Sequence, residues 1–244
     1  MVEQFQISLA GLTVEMHSRF PLARAFCKDY LEESTAVHFS AEAVESEMSA
    51  LLRASDVQDA SHAELLSLYR SIAEQLPRFE RFLIHGAAIS WRGQGFLFLA
   101  PSGTGKSTHI RLWRSTLGGG VGIVNGDKPI INASGNVPMV CGTPWAGKEN
   151  WQKNISVPLS AICILRRGEI DAIRRVTPGE QLGALLCQVY RPDDAQALER
   201  TLMLADKVFC AVPLYELTCT PTENAVRTAF PALTGETYPG GNTQ

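Results

Sequence analysis

The stretch APSGTGKST, residues 100–108, has the residue types and spacing of a phosphate-binding loop. It follows the apolar run FLFLA and precedes a segment with helical spacing, which is the strand–loop–helix context of the pattern G-x-x-x-x-G-K-[ST]. Ala100 stands where that pattern has its first glycine, and alanine is tolerable there if its backbone φ is negative. The stretch therefore predicts binding of a nucleoside triphosphate.

The chemistry of the loop explains its residue types. Gly103 and Gly105 let the backbone turn tightly, so that successive N–H groups point at phosphate. Lys106 is expected to reach the β- and γ-phosphates and the Ser107 hydroxyl to bind Mg²⁺. The helix that begins at Lys106 adds the positive end of its dipole. We expect nucleotide contacts from Ser102, Gly103, Thr104, Gly105, Lys106, Ser107 and Thr108.

A histidine precedes this loop and an acid follows it. His85 lies in FLIHGAAIS, where Gly86 permits close backbone approach, and an expected hairpin would place His85 beside the strand that leads into the loop. Asp127 lies in VGIVNGDKPII. Asn125-Gly126 between apolar runs is typical of a β-hairpin turn, whereas an apolar strand that ends in an acid is typical of metal binding. Both interpretations of Asp127 fit its spacing.

Taken together, IHGAAI, SGTGKST and IVNGD resemble the HPr kinase/phosphorylase family, whose nucleotide-binding core is shared with ATP-dependent phosphoenolpyruvate carboxykinase. GTPWAGKEN, residues 142–150, is similar to a glycine-rich segment of a kinase-like branch, and the resemblance extends over about residues 82–220. It implies an α/β fold in which a P-loop core has a mixed β-sheet flanked by helices. It also implies phosphoryl transfer from ATP to a hydroxyl group, with Mg²⁺ as cofactor.

The resemblance implies a site formed by His85, Lys106, Ser107 and Asp127, with Ser107 and Asp127 as the metal ligands. The family has two adjacent acids at the end of this strand, whereas here Gly126 takes the place of the first. The lost acid leaves the catalytic rate open. His85 could substitute as the general base, because the ordinary pKa of imidazole lies near neutrality.

The segment 142–150 has two interpretations. It could close over the nucleotide or acceptor as a mobile loop, with Lys148 stabilising the transferring charge as a further catalytic residue. It could instead be a surface loop with Trp145 packed against the core.

Other charged and aromatic residues favour structural roles. His109 and Trp113 are four residues apart on one helix face, which favours packing, and a nucleotide contact by His109 or Arg111 is the alternative. For Arg166 and Arg167, solvated surface charge is favoured over phosphate binding.

The leading hypothesis is an ATP- and Mg²⁺-dependent kinase whose acceptor is a serine of a protein or peptide, or a small hydroxyl metabolite. A nucleotide-binding regulatory or accessory protein with little turnover is the alternative, and the missing acid favours it. A carboxykinase acting on a small carboxylic acid is a third hypothesis, although the chain is short for such enzymes. The family precedent is compatible with a homo-oligomer.

The composition excludes several classes of protein. The 244 residues are 45% apolar and 19% charged, so they can bury a substantial core. A net charge of −3 argues against a dedicated nucleic-acid binder. Apolar runs fall short of a membrane span, and the N-terminus lacks a signal-peptide pattern. Six cysteines without CxxC or Cys/His spacing indicate reduced thiols, so we expect a cytoplasmic protein without a membrane partner.

The elements that must position the site follow from periodicity. We predict an N-terminal α+β portion over 1–80, by position the natural place for acceptor recognition, then a P-loop kinase-like core over 81–230 and a loose tail over 231–244. The pieces RFLIHGAAISW and GFLFLA should form a hairpin through RGQG. Helices are predicted over 41–53 after an N-cap at Ser40, over 62–76 after an N-cap at Ser61, over 106–117, 178–190 and 193–208, and from Pro221 onward.

Overall fold

The structure, a computed structural model, describes residues 2–54 and 57–239. Its strands are β1 Glu3–Leu9, β2 Leu12–Ser18, β3 Leu31–Glu32, β4 Phe39–Glu42, β5 Arg81–Leu83, β6 Ala87–Trp91, β7 Gln94–Leu99, β8 Val121–Asn125, β9 Ile130–Asn132, β10 Met139–Cys141, β11 Ser156–Arg167, β12 Ala172–Val176 and β13 Leu214–Cys219. Its α-helices are α1 Pro21–Phe26, α2 Glu45–Arg53, α3 Ala60–Gln75, α4 Lys106–Leu117, α5 Pro178–Leu186, α6 Ala195–Ala211 and α7 Glu223–Thr234.

The N-terminal portion is a small sheet with the strand order β3-β1-β2-β4. β1 and β2 form a hairpin whose turn residues Ala10 and Gly11 have positive φ. Alternate residues of this hairpin, such as Ile7, are fully buried in one cluster with Leu68 and Ile72 of α3. The period-2 pattern of the hairpin and the period-3.6 pattern of α3 therefore meet in one core.

The second sheet is mixed and carries the phosphate loop. Its strand order is β5-β9-β10-β11-β7-β6-β8, with β13 paired to β11 and β12 to β13. β7, β11 and β13 run parallel to one another, so their carboxyl ends meet at one edge of the sheet. Ligands of open α/β sheets bind outside this edge, and the loop between β7 and α4 lies there.

Helices cover both faces of the second sheet because its central strands are apolar on both sides. Phe96 and Phe98 of β7 pack against Trp113 of α4. Leu97 and Leu99 point to the opposite face and join the cluster that contains Phe209 of α6. The predicted fold class, a mixed sheet flanked by helices with an additional α+β portion, is confirmed.

Of the two interpretations left open for Asn125-Gly126, the hairpin between paired strands is wrong. β8 pairs with β6, whereas β9 pairs with β5 and β10 on the far side of the sheet. The Asn125 carboxamide oxygen accepts hydrogen bonds from the backbone N–H groups of Asp127 and Lys128, at 2.8 and 2.7 Å. This side-chain turn directs the chain away from β8 instead of back along it.

Several predicted helix starts are displaced. α2 begins at Glu45 and not after Ser40, because residues 39–42 are paired with β2 as a strand. α3 is capped by Asp59 and not by Ser61, since Asp59 Oδ1 accepts from the next backbone N–H groups. α7 begins after an N-cap at Thr222, one residue beyond Pro221.

Other predicted bounds also differ. The histidine-bearing stretch predicted as one strand is divided into β5 and β6, with residues 84–86 between them. α5 is shorter than predicted and α6 longer, whereas the helix predicted over 106–117 is confirmed as α4. α7 continues to Thr234, within the range predicted as tail, and residues 240–244 of that range lie outside the described residues. The three-part domain division stays a prediction.

All six cysteines are free thiols. Within residues 2–54 and 57–239, no helix combines the length and apolarity needed to cross a membrane.

Gly86 leaves no room for a side chain, as its sequence context predicts. A Cβ atom at this position would lie 2.7 Å from Leu99 Cδ2 and 3.1 Å from the Phe98 carbonyl oxygen. We therefore expect Gly86→Ala to lower the free energy of unfolding by about 1–3 kcal/mol. Gly183→Ala is the control, because a Cβ there meets no atom within 4 Å and alanine favours the helix. Urea unfolding of both variants checks this, and an unchanged midpoint for Gly86→Ala would contradict it.

Candidate functional site

The phosphate loop has the backbone that its glycines require. Gly103 and Gly105 have φ of +78° and +121°, a region that residues with a side chain rarely adopt. The φ of Ala100 is not positive, so alanine is tolerated at the first position of the pattern. Gly105 is the N-cap of α4, whose first residue is Lys106.

Lys106 is folded back onto the loop. Its Nζ donates a hydrogen bond of 2.8 Å to the Ala100 carbonyl oxygen, and the residue is only 8% exposed. Burial lowers the pKa of Lys106, and the charge of Asp127 acts in the opposite direction. The cation therefore lies at the mouth of the loop, where phosphate oxygens could replace its carbonyl partner.

A cavity of about 510 Å³ opens beside the loop. It brings together most of the predicted site residues with Arg111, whose nucleotide contact was the alternative interpretation, and with Glu149, which was not predicted. Its lining consists of His85, Ser102, Gly103, Gly105, Lys106, Ser107, Thr108, Arg111, Gly126, Asp127, Gly147, Lys148 and Glu149. Thr104 is the predicted nucleotide-binding residue that does not line this cavity.

His85 and Asp127 form a contact at one end of the cavity. His85 Nε2 lies 3.3 Å from Asp127 Oδ1, and the Gly86 N–H donates to the Asp127 carbonyl oxygen at 2.8 Å. Burial raises the pKa of the Asp127 carboxyl, but the hydrogen-bonding contact with His85 and the charge of Lys128 lower it by more. The net pKa lies below the ordinary value, so Asp127 is a carboxylate at neutral pH.

Gln188, which was not predicted from the sequence, determines which imidazole nitrogen of His85 carries the proton. With its amide oriented so that the nitrogen faces acceptors, Gln188 donates to His85 Nδ1 at 2.9 Å and to the Ala100 carbonyl oxygen at 3.2 Å. This orientation follows from the hydrogen-bond network. It places the imidazole proton on Nε2, facing Asp127. In this tautomer neither nitrogen of His85 has a free lone pair, which fits a role in orienting Asp127 better than a role as base.

The glycine-rich segment 142–150 packs Trp145 against the core, as its second interpretation predicts, and its closure over a ligand stays a prediction. Trp145 is buried against Tyr69, with ring centroids 5.0 Å apart, so part of the segment belongs to the core. Gly147, at φ +72°, passes so close to Asp127 that a Cβ would lie 3.1 Å from the Asp127 Cβ. Lys148 then reaches the rim of the cavity as an exposed residue.

The same segment explains the glycine at position 126. A Cβ on Gly126 would lie 3.0 Å from the Ala146 carbonyl oxygen and 3.3 Å from Trp151 Cβ. The Gly126 N–H also donates to the Trp151 carbonyl oxygen at 2.7 Å. The backbone of residues 146–151 therefore occupies the space that a second acid would need.

That backbone carries another acid into the cavity. The Glu149 side chain is 14% exposed, and its Oε1 lies 3.4 Å from a terminal nitrogen of Arg111 on α4. Arg111 also lies over the Trp151 ring at 5.2 Å from its centroid. Glu149 was not among the predicted site residues, and its position next to Lys148 was the only signal for it in the sequence.

Arg167 is exposed, as expected for a surface charge, but it also donates hydrogen bonds to the phosphate loop. Its Nε donates to the Thr104 carbonyl oxygen at 3.0 Å and its guanidinium also donates to the Gly103 carbonyl oxygen. Arg167 therefore fastens the phosphate loop to the end of β11. Arg166 instead pairs with Glu216 of β13.

The donors in the cavity fit a magnesium ion that arrives with a nucleotide. Within the described part of the chain, no group of three His, Cys, Asp or Glu side chains is placed to hold a metal ion. Mg²⁺ is commonly bound by one or two carboxylates together with substrate phosphates. The Ser107 hydroxyl and the Asp127 carboxylate, both lining the cavity, suit this mode.

Comparison with known proteins assigns the family. The model of the family described as SynChlorMet cassette protein ScmC matches residues 51–220. The chain belongs to this family. Among solved structures, the Hpr(Ser) kinase/phosphatase from Coxiella burnetii is similar at 13% identity, over 63% of this chain and 93% of that chain, with a TM-score of 0.35. No curated protein matches. A likeness at this level supports no conclusion about activity, so function is argued from the site.

The contact between His85 and Asp127 predicts a change in titration. We expect His85→Ala to raise the pKa of the Asp127 carboxyl, because burial then acts with less opposition. Since the folded pKa is below the unfolded one, the ionised carboxyl stabilises the fold above its unfolded pKa. This contribution is lost as the pH falls through the folded pKa. In His85→Ala the contribution to the free energy of unfolding is smaller than in the wild type.

Carboxyl-detected NMR titration measures this pKa directly. His62→Ala is the control, because His62 pairs with Asp59 at the exposed start of α3 and leaves Asp127 untouched. An equal Asp127 pKa in the wild type and His85→Ala would contradict the assigned contact.

Proposed function

We propose that the protein is an ATP- and Mg²⁺-dependent phosphotransferase that transfers the γ-phosphoryl group to a hydroxyl. The observation that supports this most is the shared cavity of the phosphate loop and the His85–Asp127 pair. A phosphate loop alone binds nucleotide, whereas an oriented carboxylate at the end of the same cavity can serve the reacting phosphoryl group.

The loop would hold and neutralise the phosphates. The glycine-rich backbone and the N-terminus of α4 direct N–H groups at the nucleotide. Lys106 exchanges the Ala100 carbonyl oxygen for β- and γ-phosphate oxygens. Lys148 at the rim adds a second cation near the transferring group. Phosphoryl transfer depends mainly on such positioning and charge neutralisation.

Asp127 is better suited to binding the metal ion than to accepting the hydroxyl proton. Its lowered pKa makes it a weak base but a permanent anion. Bound Mg²⁺ would neutralise charge on the β- and γ-phosphates. Asp127 and Ser107 would hold it, with His85 keeping the carboxylate in position.

Glu149 would then be the residue that serves the acceptor hydroxyl. It is the other carboxylate lining the described cavity, and it lies on the segment that crowds Gly126. In the reaction the hydroxyl oxygen of the acceptor bonds to the γ-phosphorus, and the bond between the γ-phosphorus and the β,γ-bridging oxygen breaks. The hydroxyl proton passes to Glu149. The products are ADP and a phosphate ester.

A nucleotide-binding regulatory protein with little turnover is the second candidate. The glycine at position 126 and the hydrogen bond that holds Lys106 on the loop's own carbonyl are the observations that favour it. Unlike the first candidate, it would bind ATP without transferring the γ-phosphoryl group to an acceptor.

Transfer from γ-labelled ATP to protein or metabolite in a cell extract separates these candidates. We expect transfer by the wild type and a loss of about 10³-fold in Lys106→Ala, because the main cation on the phosphates is removed. Lys207→Ala, an exposed lysine on α6, should transfer like the wild type. Tight ATP binding by the wild type without any transfer would instead support the regulatory protein.

The division of work between the two acids is testable on the same assay. We expect Glu149→Gln to lower the transfer rate by about 100-fold with unchanged affinity for Mn²⁺ in the presence of ATP. Asp127→Asn should instead weaken that affinity by about tenfold or more. Glu199→Gln, at an exposed position of α6, is the matched control. A transfer rate equal to wild type in Glu149→Gln would refute its role, whatever Asp127→Asn does.

A further inference from the structure

A second cavity adjoins the first on the opposite side of the phosphate loop. It has a volume of about 380 Å³ and lies between the start of α4 and the carboxyl ends of β11 and β13. Gly105 and Thr108 line both cavities, so the two are adjacent at the phosphate loop. We call this second cavity the slot.

The slot and the first cavity differ in chemistry. Leu112, Cys219 and Pro221 give the slot apolar walls, whereas the first cavity contains Lys106 and Asp127. A ligand that fills both would be highly charged at one end and apolar at the other.

The positions of the two cavities along the loop indicate which end of a nucleotide each of them would hold. The His85–Asp127 pair lies on the side of the first cavity, which is the side expected for the γ-phosphate. The phosphates follow the loop amides toward the start of α4. The remainder of a nucleotide then leaves the loop beside Thr108, which is the entrance to the slot.

His109 gives the slot a polar group without a partner. The residue is 3% exposed, and its Nε2 accepts a hydrogen bond of 2.9 Å from Trp113 Nε1. Because Nε2 accepts this hydrogen bond from Trp113, the proton of the imidazole lies on Nδ1. Among the described residues, this buried Nδ1 has no hydrogen-bond partner. A buried donor left unpaired costs about 1–3 kcal/mol, so an acceptor on the ligand would be favourable.

Arg167 keeps the slot in place. Its hydrogen bonds to the carbonyl oxygens of Gly103 and Thr104 join the phosphate loop to β11, and Arg167 itself lines the slot. The slot is therefore built onto the same loop that receives the phosphates.

We propose that the slot binds the base of the nucleotide whose phosphates occupy the loop, with His109 Nδ1–H donating to an acceptor atom of that base. Leu112, Cys219 and Pro221 form the apolar walls of the base site. This rests on the proposed nucleotide binding but not on phosphoryl transfer.

Calorimetric titration with two ligands tests the slot. MgATP should bind the wild type at least about tenfold more tightly than magnesium triphosphate, which has the same phosphates and no nucleoside. Cys219→Phe fills the slot and should bring ATP affinity down to that of triphosphate, with triphosphate affinity unchanged. Cys210→Phe, on an exposed face of α6, should leave both affinities unchanged.

Side-chain ¹⁵N NMR of the wild type gives a readout that needs no variant. The His109 Nδ1 resonance should shift with ATP and not with triphosphate. Equal wild-type affinities for the two ligands, or a His109 resonance that ATP leaves in place, would overturn the slot while nucleotide binding stands. If neither ligand binds the wild type, the proposed function fails and the slot fails with it.

Discussion

The buried side chain of Asn125 is the interaction on which the geometry of the site depends. Its carboxamide oxygen receives the N–H groups of Asp127 and Lys128, and its amide nitrogen donates to the Thr143 carbonyl oxygen at 2.9 Å. The Thr143 hydroxyl in turn donates to the Lys128 carbonyl oxygen. One fully buried amide therefore ties the end of β8 to Asp127 and to the start of the glycine-rich segment. Its polar atoms are all used, which is the condition under which a buried amide stabilises a single geometry.

That segment also connects the site to the N-terminal portion. Trp145 lies in the hydrophobic cluster that contains the β1–β2 hairpin and α3. Lys128, the neighbour of Asp127, lies over the Tyr69 ring at 5.2 Å from its centroid. The glycine-rich segment that lines the first cavity and the N-terminal sheet thus share one hydrophobic core.

The sequence predicts the parts of the site that are local. The phosphate loop, α4 and the β6–β7 hairpin depend on residues that are close in the chain, and the expected closeness of His85 to the loop follows from that hairpin. The contacts that organise the site are long-range. Gln188 contacts His85, and Arg167 contacts the phosphate loop, although each is distant in the chain from its partner. Spacing along the chain does not reveal such contacts. The sequence left the hairpin interpretation of Asn125-Gly126 open because the hairpin pattern and the side-chain turn use the same residue types.

In the proposed site, Asp127 faces the metal and the phosphates of one bound nucleotide. Pulsed electron–nuclear double resonance on Mn²⁺·ATP bound to protein labelled with ¹³C at aspartate carboxyl groups measures both contacts at once. We expect ³¹P coupling from the nucleotide together with ¹³C coupling from a directly bound carboxylate, and loss of the ¹³C coupling in Asp127→Asn. A ³¹P coupling without any ¹³C coupling, or a ¹³C coupling that persists in Asp127→Asn, would contradict the claim.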